Sequence, residues 1–229
     1  NVFEYLEIRE IKDEEIKTFD RIYCGVDWGF FPDPFAYIRV SYDSARETIY
    51  IIDELYVNKW SNAKTGQWII DKGYDDYEIT CDSAEPKSIN DYRDMGLPAK
   101  GAIKGAGSID YSFKWMQCKT IVIDQTRTPN AYKEFTEYEF ERDKEGNVIS
   151  GYPDRNNHLI DSCRYALESL WKIDDKENPL ELKSVKDLRV ALQELNTIRQ
   201  RVNDNLRKGI EISETDSNEL RDKTEQVAI

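Results

Sequence analysis

Histidine is almost absent from the chain and cysteine is sparse: 229 residues hold one His and four Cys. Cys24, Cys81, Cys118 and Cys163 form no Cys-x-x-Cys pair and do not cluster with His158. That argues against a zinc knuckle or a disulfide framework and for reduced thiols in a cytoplasmic protein. No apolar run approaches the ~20 residues that span a bilayer, and no cationic leader with an apolar stretch is visible, so a soluble protein without an export signal is expected. The first residue is Asn1 and not Met, as in an excised domain or a processed product. Positive charge is short as well, with 32 Lys and Arg against 45 Asp and Glu giving −13 at pH 7. That balance opposes binding to a phosphate backbone through cations alone. A protein that meets phosphate through metal ions held on carboxylates, helped by a local basic strip, escapes the objection. Such a strip lies between positions 87 and 119, where Lys87, Arg93, Lys100, Lys104, Lys114 and Lys119 stand against Asp91, Asp94 and Asp110. It is the expected seat of a DNA backbone.

With 39% apolar residues, this length suits one core domain plus an appendage. Residues 1–20 mix charge with scattered apolar side chains, from Phe3 to Phe19, and read as a lead-in segment that packs at the periphery. Residues 22–29 form a short apolar strand that ends on Asp27 and Gly29. The β-branched and aromatic stretches at 35–42 and 48–57, joined by Asp43-Ser44-Ala45-Arg46, complete an antiparallel meander. Ser61 suits a helix N-cap, and a strand at 78–82 again ends on an aspartate, Asp82. Helices near 86–95, 108–118 and 130–138 then alternate with strands at 99–103 and 120–124. Residues 139–151, with Glu145-Gly146-Asn147 at their middle, read as a hairpin that would gate a cleft.

A helix over residues 157–172 carries Leu159, Cys163, Ala166, Leu167, Leu170 and Trp171 on one side and His158, Asp161 and Tyr165 on another, one face to pack and one to look into a cleft. A meander followed by alternating helices and strands is a mixed α/β sheet flanked by helices, the order found in the ribonuclease H-like architecture. The core domain is placed at 21–173. Beyond it, residues 174–229 form a polar extension, helical and partly disordered, with a linker at Pro179. Val185, Leu188, Leu192, Leu195, Val202 and Leu206, interrupted by Arg199, recur at the spacing of an amphipathic helix that needs a partner, and Gly209 suits its stop.

Hydrolysis of a phosphodiester with two divalent ions requires carboxylates from distant chain positions to meet at one point, because hard cations take hard oxygen ligands. Asp27 and Asp82 end strands that would be neighbours, and Asp161 stands on the cleft face of a later helix. A single aspartate in such a place is usually solvated; three in this element order point to a metal-dependent nuclease. His158, three residues before Asp161, is a candidate ligand or water-orienting group. Glu54 could approach the ligands from the third strand and support them from behind. Glu85 and Lys87 suit a supporting role or a DNA contact, and Lys100 and Lys104, beside glycine-rich backbone, are candidate phosphate contacts.

Five segments in order carry a specific resemblance. They are Gly25-Val26-Asp27-Trp28-Gly29-Phe30 with Pro32-Asp33-Pro34, then Tyr50-Ile51-Ile52-Asp53-Glu54, then Cys81-Asp82-Ser83-Ala84-Glu85-Pro86-Lys87. Lys104-Gly105-Ala106-Gly107-Ser108-Ile109 and Asn157-His158-Leu159-Ile160-Asp161-Ser162-Cys163-Arg164-Tyr165-Ala166-Leu167 complete the set. Over residues 21–171 the chain resembles the C-terminal nuclease domain of the terminase large subunits of tailed bacteriophages. The resemblance implies a ribonuclease H-like nuclease that cuts double-stranded concatemeric viral DNA during packaging, in the cytoplasm of the infected bacterial host, with two Mg²⁺ or Mn²⁺ ions. It also implies, as partners, an ATPase domain in the same full-length chain, a small terminase subunit and a portal protein. No Gly-x-x-x-x-Gly-Lys-Ser/Thr phosphate loop occurs here, so no ATPase activity is expected of this chain. A resolvase- or transposase-type enzyme would share the carboxylates but is not expected to carry the Asn157-His158 helix motif with the long extension. A non-catalytic docking module that binds a portal ring through the amphipathic helix is the alternative of a different class.

Overall fold

The computed structural model describes residues 1–105, 107–149, 151–177, 198 and 202. The chain divides into two compact units, Asn1–Lys172 and Ile173–Ile229, and the sheet belongs to the first. Most of the amphipathic stripe expected at 185–206, and the tail beyond 213, lie outside the described residues; Ile198 and Val202 are helical and buried.

Seven strands make one mixed sheet. They are β1 (Leu6–Ile8), β2 (Ile22–Asp27), β3 (Phe35–Asp43), β4 (Thr48–Val57), β5 (Ile79–Cys81), β6 (Ala99–Gly101) and β7 (Thr120–Ile123), in the spatial order β1-β7-β4-β3-β2-β5-β6. The meander β2–β3–β4 is antiparallel, and β5, β6, β7 and β1 join in parallel pairings. The β3–β4 turn is fixed by Asp43, whose Oδ1 accepts the N–H groups of Ala45 and Arg46, the local bond that makes Asp a turn residue. β3 is buried on both faces over its first seven residues, which explains a run of apolar side chains with little alternation.

The helices are α1 (Asp13–Ile16), α2 (Asn62–Asp71), α3 (Pro86–Asp94), α4 (Ser108–Gln117), α5 (Pro129–Glu137), α6 (His158–Ala166) and α7 (Glu168–Glu177). Ser61 caps α2 as expected, accepting the Lys64 N–H. Ile69 and Tyr92, from α2 and α3, join Tyr37 and Ile79 of the sheet in one core cluster. Phe113, Phe135, Leu159 and Cys163, from α4, α5 and α6, join Ile38 and Ile123 in another.

The structure departs from the sequence reading in three places. The lead-in segment is not peripheral: β1 extends the sheet beyond β7, and Val2, Phe3 and Ile11 are buried. Phe3 packs against Phe113, Phe135 and Tyr138, so the short apolar pair Val2-Phe3 fills the core that the edge strand closes. The helix expected over 157–172 is broken at Leu167, which separates α6 from α7, and the Trp171 indole N–H donates to the Arg164 carbonyl across the break. The 139–151 hairpin is present but shorter than expected: Arg142 bridges Val148, the Ile149 N–H donates to the Glu141 carbonyl and the Asp143 N–H to the Asn147 carbonyl, around a turn built on Asp143.

Candidate metal centre

Parallel pairing of β2 with β5 sets Val26 opposite Cys81, so the residues that follow, Asp27 and Asp82, emerge from the same end of the sheet. The Asp82 N–H donates to the Val26 carbonyl at 2.9 Å, and the Asp82 carbonyl accepts the Trp28 indole N–H at 3.0 Å. Asp82 Oδ1 accepts the Ala84 N–H at 2.9 Å. Backbone thus fixes both strand ends before any side chain is considered.

The third contribution comes from α6, which lies against β2 and β3. Its approach depends on Gly25, where a Cβ would fall 1.9 Å from the Ser162 carbonyl oxygen and 2.8 Å from the Ala166 nitrogen. With the helix that close, Ser162 Oγ accepts the Asp27 N–H at 3.1 Å, and His158 Nδ1 lies 2.9 Å from Asp27 Oδ2. Asp161 accepts the Asn157 side-chain amide at 2.9 Å and the Arg164 Nε–H at 3.0 Å. Lys104 reaches Asp82 Oδ1 at 2.5 Å. Its loop is anchored just upstream, where the Ile103 N–H donates to buried Glu168 and Lys172 Nζ donates to the Ile103 carbonyl.

Asp27, Asp82, Asp161 and His158 have side chains 15%, 18%, 20% and 19% exposed, low enough to be desolvated and open enough to be reached. Burial, the largest cause, raises the Asp27 carboxyl above its ordinary value; His158 pulls it down and the charge of Asp82 adds to the rise. Burial likewise pushes Asp161 up to about 6, against the pull of Arg164 and with repulsion from Asp27. His158 is raised, first by its hydrogen bond to Asp27. The Tyr165 hydroxyl is raised, by burial first, and Asp161, Asp82 and Asp27 all act on it. The Tyr165 hydroxyl therefore lies within reach of the charge of all three carboxylates.

Among the described residues, no three His, Cys, Asp or Glu side chains are drawn together tightly enough to hold an ion as they stand. Each carboxylate is turned to a protein partner instead: Asp27 to His158, Asp82 to Lys104, Asp161 to Arg164. The donor set nevertheless suits a hard divalent cation. It offers carboxylate oxygens, and two of the three carboxyls are destabilised as anions by burial, a cost that a bound cation removes.

The remaining expected residues are placed as follows. Glu54 does not reach the aspartates. Its Oε1 accepts the Asn130 N–H and side-chain amide, and its Oε2 the Ala131 N–H, at the start of α5. Glu85 precedes α3 on the rim of a cleft of about 680 Å³ that also borders Trp28, Phe30 and Trp60. Lys87 is exposed in the first turn of α3, and Lys100 pairs with Glu78. The basic strip is largely matched at home, since Lys114 and Lys119 also hold acidic partners, Asp110 and Glu47.

Sequence reasoning missed Glu134. It is 6% exposed on α5 and accepts the N–H groups of Leu159 and Ile160, at 2.7 and 3.2 Å. Burial pushes its carboxyl up to about 7, against those two bonds. The available signal was its place on the Ala131–Glu134–Phe135 stripe, one acid in an otherwise apolar face.

The family model described as "Terminase RNAseH like domain" matches residues 27–169. The large terminase subunit of Bacillus phage SPP1 is 40% identical over 182 residues, covering 74% of this chain and 43% of that protein. The PBSX phage terminase large subunit of Bacillus subtilis (strain 168) is 31% identical over 154 residues, covering 67% and 35%. The chain thus spans less than half the length of these relatives. Among solved structures, the SPP1 large terminase nuclease domain with bound Mn matches with a TM-score of 0.69 and 39% identity, covering 73% of this chain and 97% of that one.

Proposed function

The chain belongs to the terminase ribonuclease H-like family, and from that premise we propose that it is a metal-dependent DNA endonuclease which cuts concatemeric viral DNA during genome packaging. The observation that carries the proposal is the emergence of two strand-end aspartates at one end of the sheet, where His158 of α6 meets Asp27. The SPP1 domain, crystallised with Mn, supports it. Asp27, Asp82 and Asp161 would hold Mg²⁺ or Mn²⁺, with His158 as a further ligand or as the group that orients Asp27. Two such ions, when bound, supply the charge neutralisation and water activation that phosphodiester hydrolysis requires.

The protein's own groups have separate tasks. Lys104 neutralises Asp82 in the metal-free chain and stands where it can contact a phosphate held at the site. Arg164, 5% exposed, holds Asp161 in one orientation. Trp28 fixes the Asp82 backbone. Lys87 and Lys100 would contact the DNA backbone further out, and Glu85 would support the rim. In the full-length protein, an ATPase domain, a small terminase subunit and a portal would be partners, within the infected bacterial cell.

The test is cleavage of linear, supercoiled and four-way-junction DNA with Mn²⁺. Wild type should cut linear and supercoiled DNA, and Asp27→Ala and Asp82→Ala should not. Cleavage that persists in both variants refutes the site, and a preference for junctions favours a resolvase reading.

A further inference from the structure

Two helices at the site lack caps of their own, and each is capped by a carboxylate from another element. The free N–H groups in a helix's first turn are ordinarily met by the side chain of the residue before it. Thr128, before α5, makes no such bond; its hydroxyl goes to the Asp124 carbonyl. Glu54 of β4 takes the Asn130 and Ala131 N–H groups instead. Asn157, before α6, makes no such bond either, and its Nδ2–H donates to Asp161. Glu134 of α5 takes the Leu159 and Ile160 N–H groups instead. Sheet, α5 and α6 are therefore linked in series, and the last link ends beside His158.

We propose that Glu134, which touches none of the candidate ligands, positions the His158–Asp161 face of α6 by supplying the N-terminal cap that the Asn157 side chain does not provide. The inference rests on the nuclease reading only in calling that face a metal site. α6 is held at two places: at mid-helix, where Ser162 meets Gly25 and Asp27, and in the first turn, where Glu134 binds. His158 opens that first turn and Asp161 follows it, so without Glu134 the first turn would keep only the packing of Leu159 and Ile160 and the face could shift about the Gly25 contact. The Tyr56 side chain of β4 also bears on the Glu134 carboxyl, so the group that caps α6 is itself held from the sheet.

The test uses the metal-free and Mn²⁺-loaded protein with Glu134→Ala, Glu134→Gln and, as a control of comparable structural kind, Asp124→Asn, which loosens the loop after β7. Mn²⁺ binding is titrated by electron paramagnetic resonance, and His158, the chain's single histidine, is followed by its imidazole proton resonances. We expect Glu134→Ala to weaken Mn²⁺ binding by about 10-fold or more and to shift the His158 resonances before any metal is added. Glu134→Gln, whose carbonyl oxygen accepts the same two N–H groups, should restore most of the affinity. Asp124→Asn should lower the melting temperature with neither effect. A folded Glu134→Ala protein with wild-type Mn²⁺ affinity and unshifted His158 overturns the proposal. Should that variant not fold, Glu134→Asp, which withdraws the carboxylate by one methylene, decides by the same two readouts. Wild type that binds no Mn²⁺ defeats the nuclease reading, and the metal-free His158 resonances then judge the positioning role alone.

Discussion

Asp82 and Asp161 make the same kind of ion pair in different surroundings, and their variants should behave differently. Lys104, the partner of Asp82, has a half-exposed side chain, whereas the Arg164 side chain is 6% exposed. Asp82→Ala releases Lys104 to water and should cost under about 1 kcal/mol. Asp161→Ala strands a buried guanidinium and should cost about 3–5 kcal/mol. Urea denaturation of the two variants checks the contrast, so a loss of Mn²⁺-dependent cleavage of more than about 100-fold is cleanly interpretable only for Asp82→Ala. Both aspartates were legible in the sequence because strand ends and helix faces follow from local periodicity. Glu134 was not, because an acid on an amphipathic helix ordinarily reads as solvated. Its titration gives a second prediction. A carboxyl raised to about 7 binds a proton on folding, so its contribution to stability is full below its unfolded value of about 4.3 and is lost as pH rises through 7. Glu134→Gln should therefore gain on wild type by up to roughly 3 kcal/mol between pH 4.5 and pH 8; a pH-independent difference in chemical denaturation would show that Glu134 does not titrate there.

At the scale of elements, the contact between β2 and α6 depends on one missing side chain. Gly25→Ala sets a methyl group against backbone atoms that cannot rotate away, so α6 must lift or tilt. The cost should be about 3 kcal/mol or more, and His158 should move off Asp27 with a change in its imidazole resonances. A variant as stable as wild type would show that the helix lies further from the strand. Phe3→Ala should cost about 3 kcal/mol in the same denaturation assay, as for an interior aromatic, although it lies in the segment ahead of the first strand. The meander and its parallel neighbours could be read from β-branched runs and turn residues. β1 could not: a three-residue strand among charges has no periodicity, and only the open edge of β7 explains it. The two borrowed caps were hidden for another reason. Glu54 and its α5 partners are 76 and 77 positions apart, and Glu134 and its α6 partners 25 and 26. The sequence gives no sign of the vacancy they fill, since Thr128 and Asn157 are residues that ordinarily cap a helix themselves.

Across the whole molecule, the charge of −13 sets how DNA can be held. The basic strip was expected to supply the phosphate contacts, yet Lys100, Lys104, Lys114 and Lys119 already pair with Glu78, Asp82, Asp110 and Glu47. Lys119 is buried, and the other three pairs, whose lysines are exposed, are exchangeable, but each one taken by a phosphate frees a carboxylate beside it, which cancels much of the gain. Counterion release then reflects few net contacts. The salt dependence of duplex affinity should have a slope no steeper than about −3 in log K against log salt, the value for about three phosphates. A divalent ion at the proposed site would change the balance more than any lysine, because it would neutralise Asp27, Asp82 and Asp161 and draw phosphate to the same point. Replacing Mn²⁺ with a chelator should weaken binding of a non-cleaved duplex by about 10-fold or more, a loss worth about 1.4 kcal/mol per tenfold. Equal affinity with and without the ion, or a slope near −8, would mean that the strip opens and carries the DNA itself, and that the acidic surface is no obstacle to it.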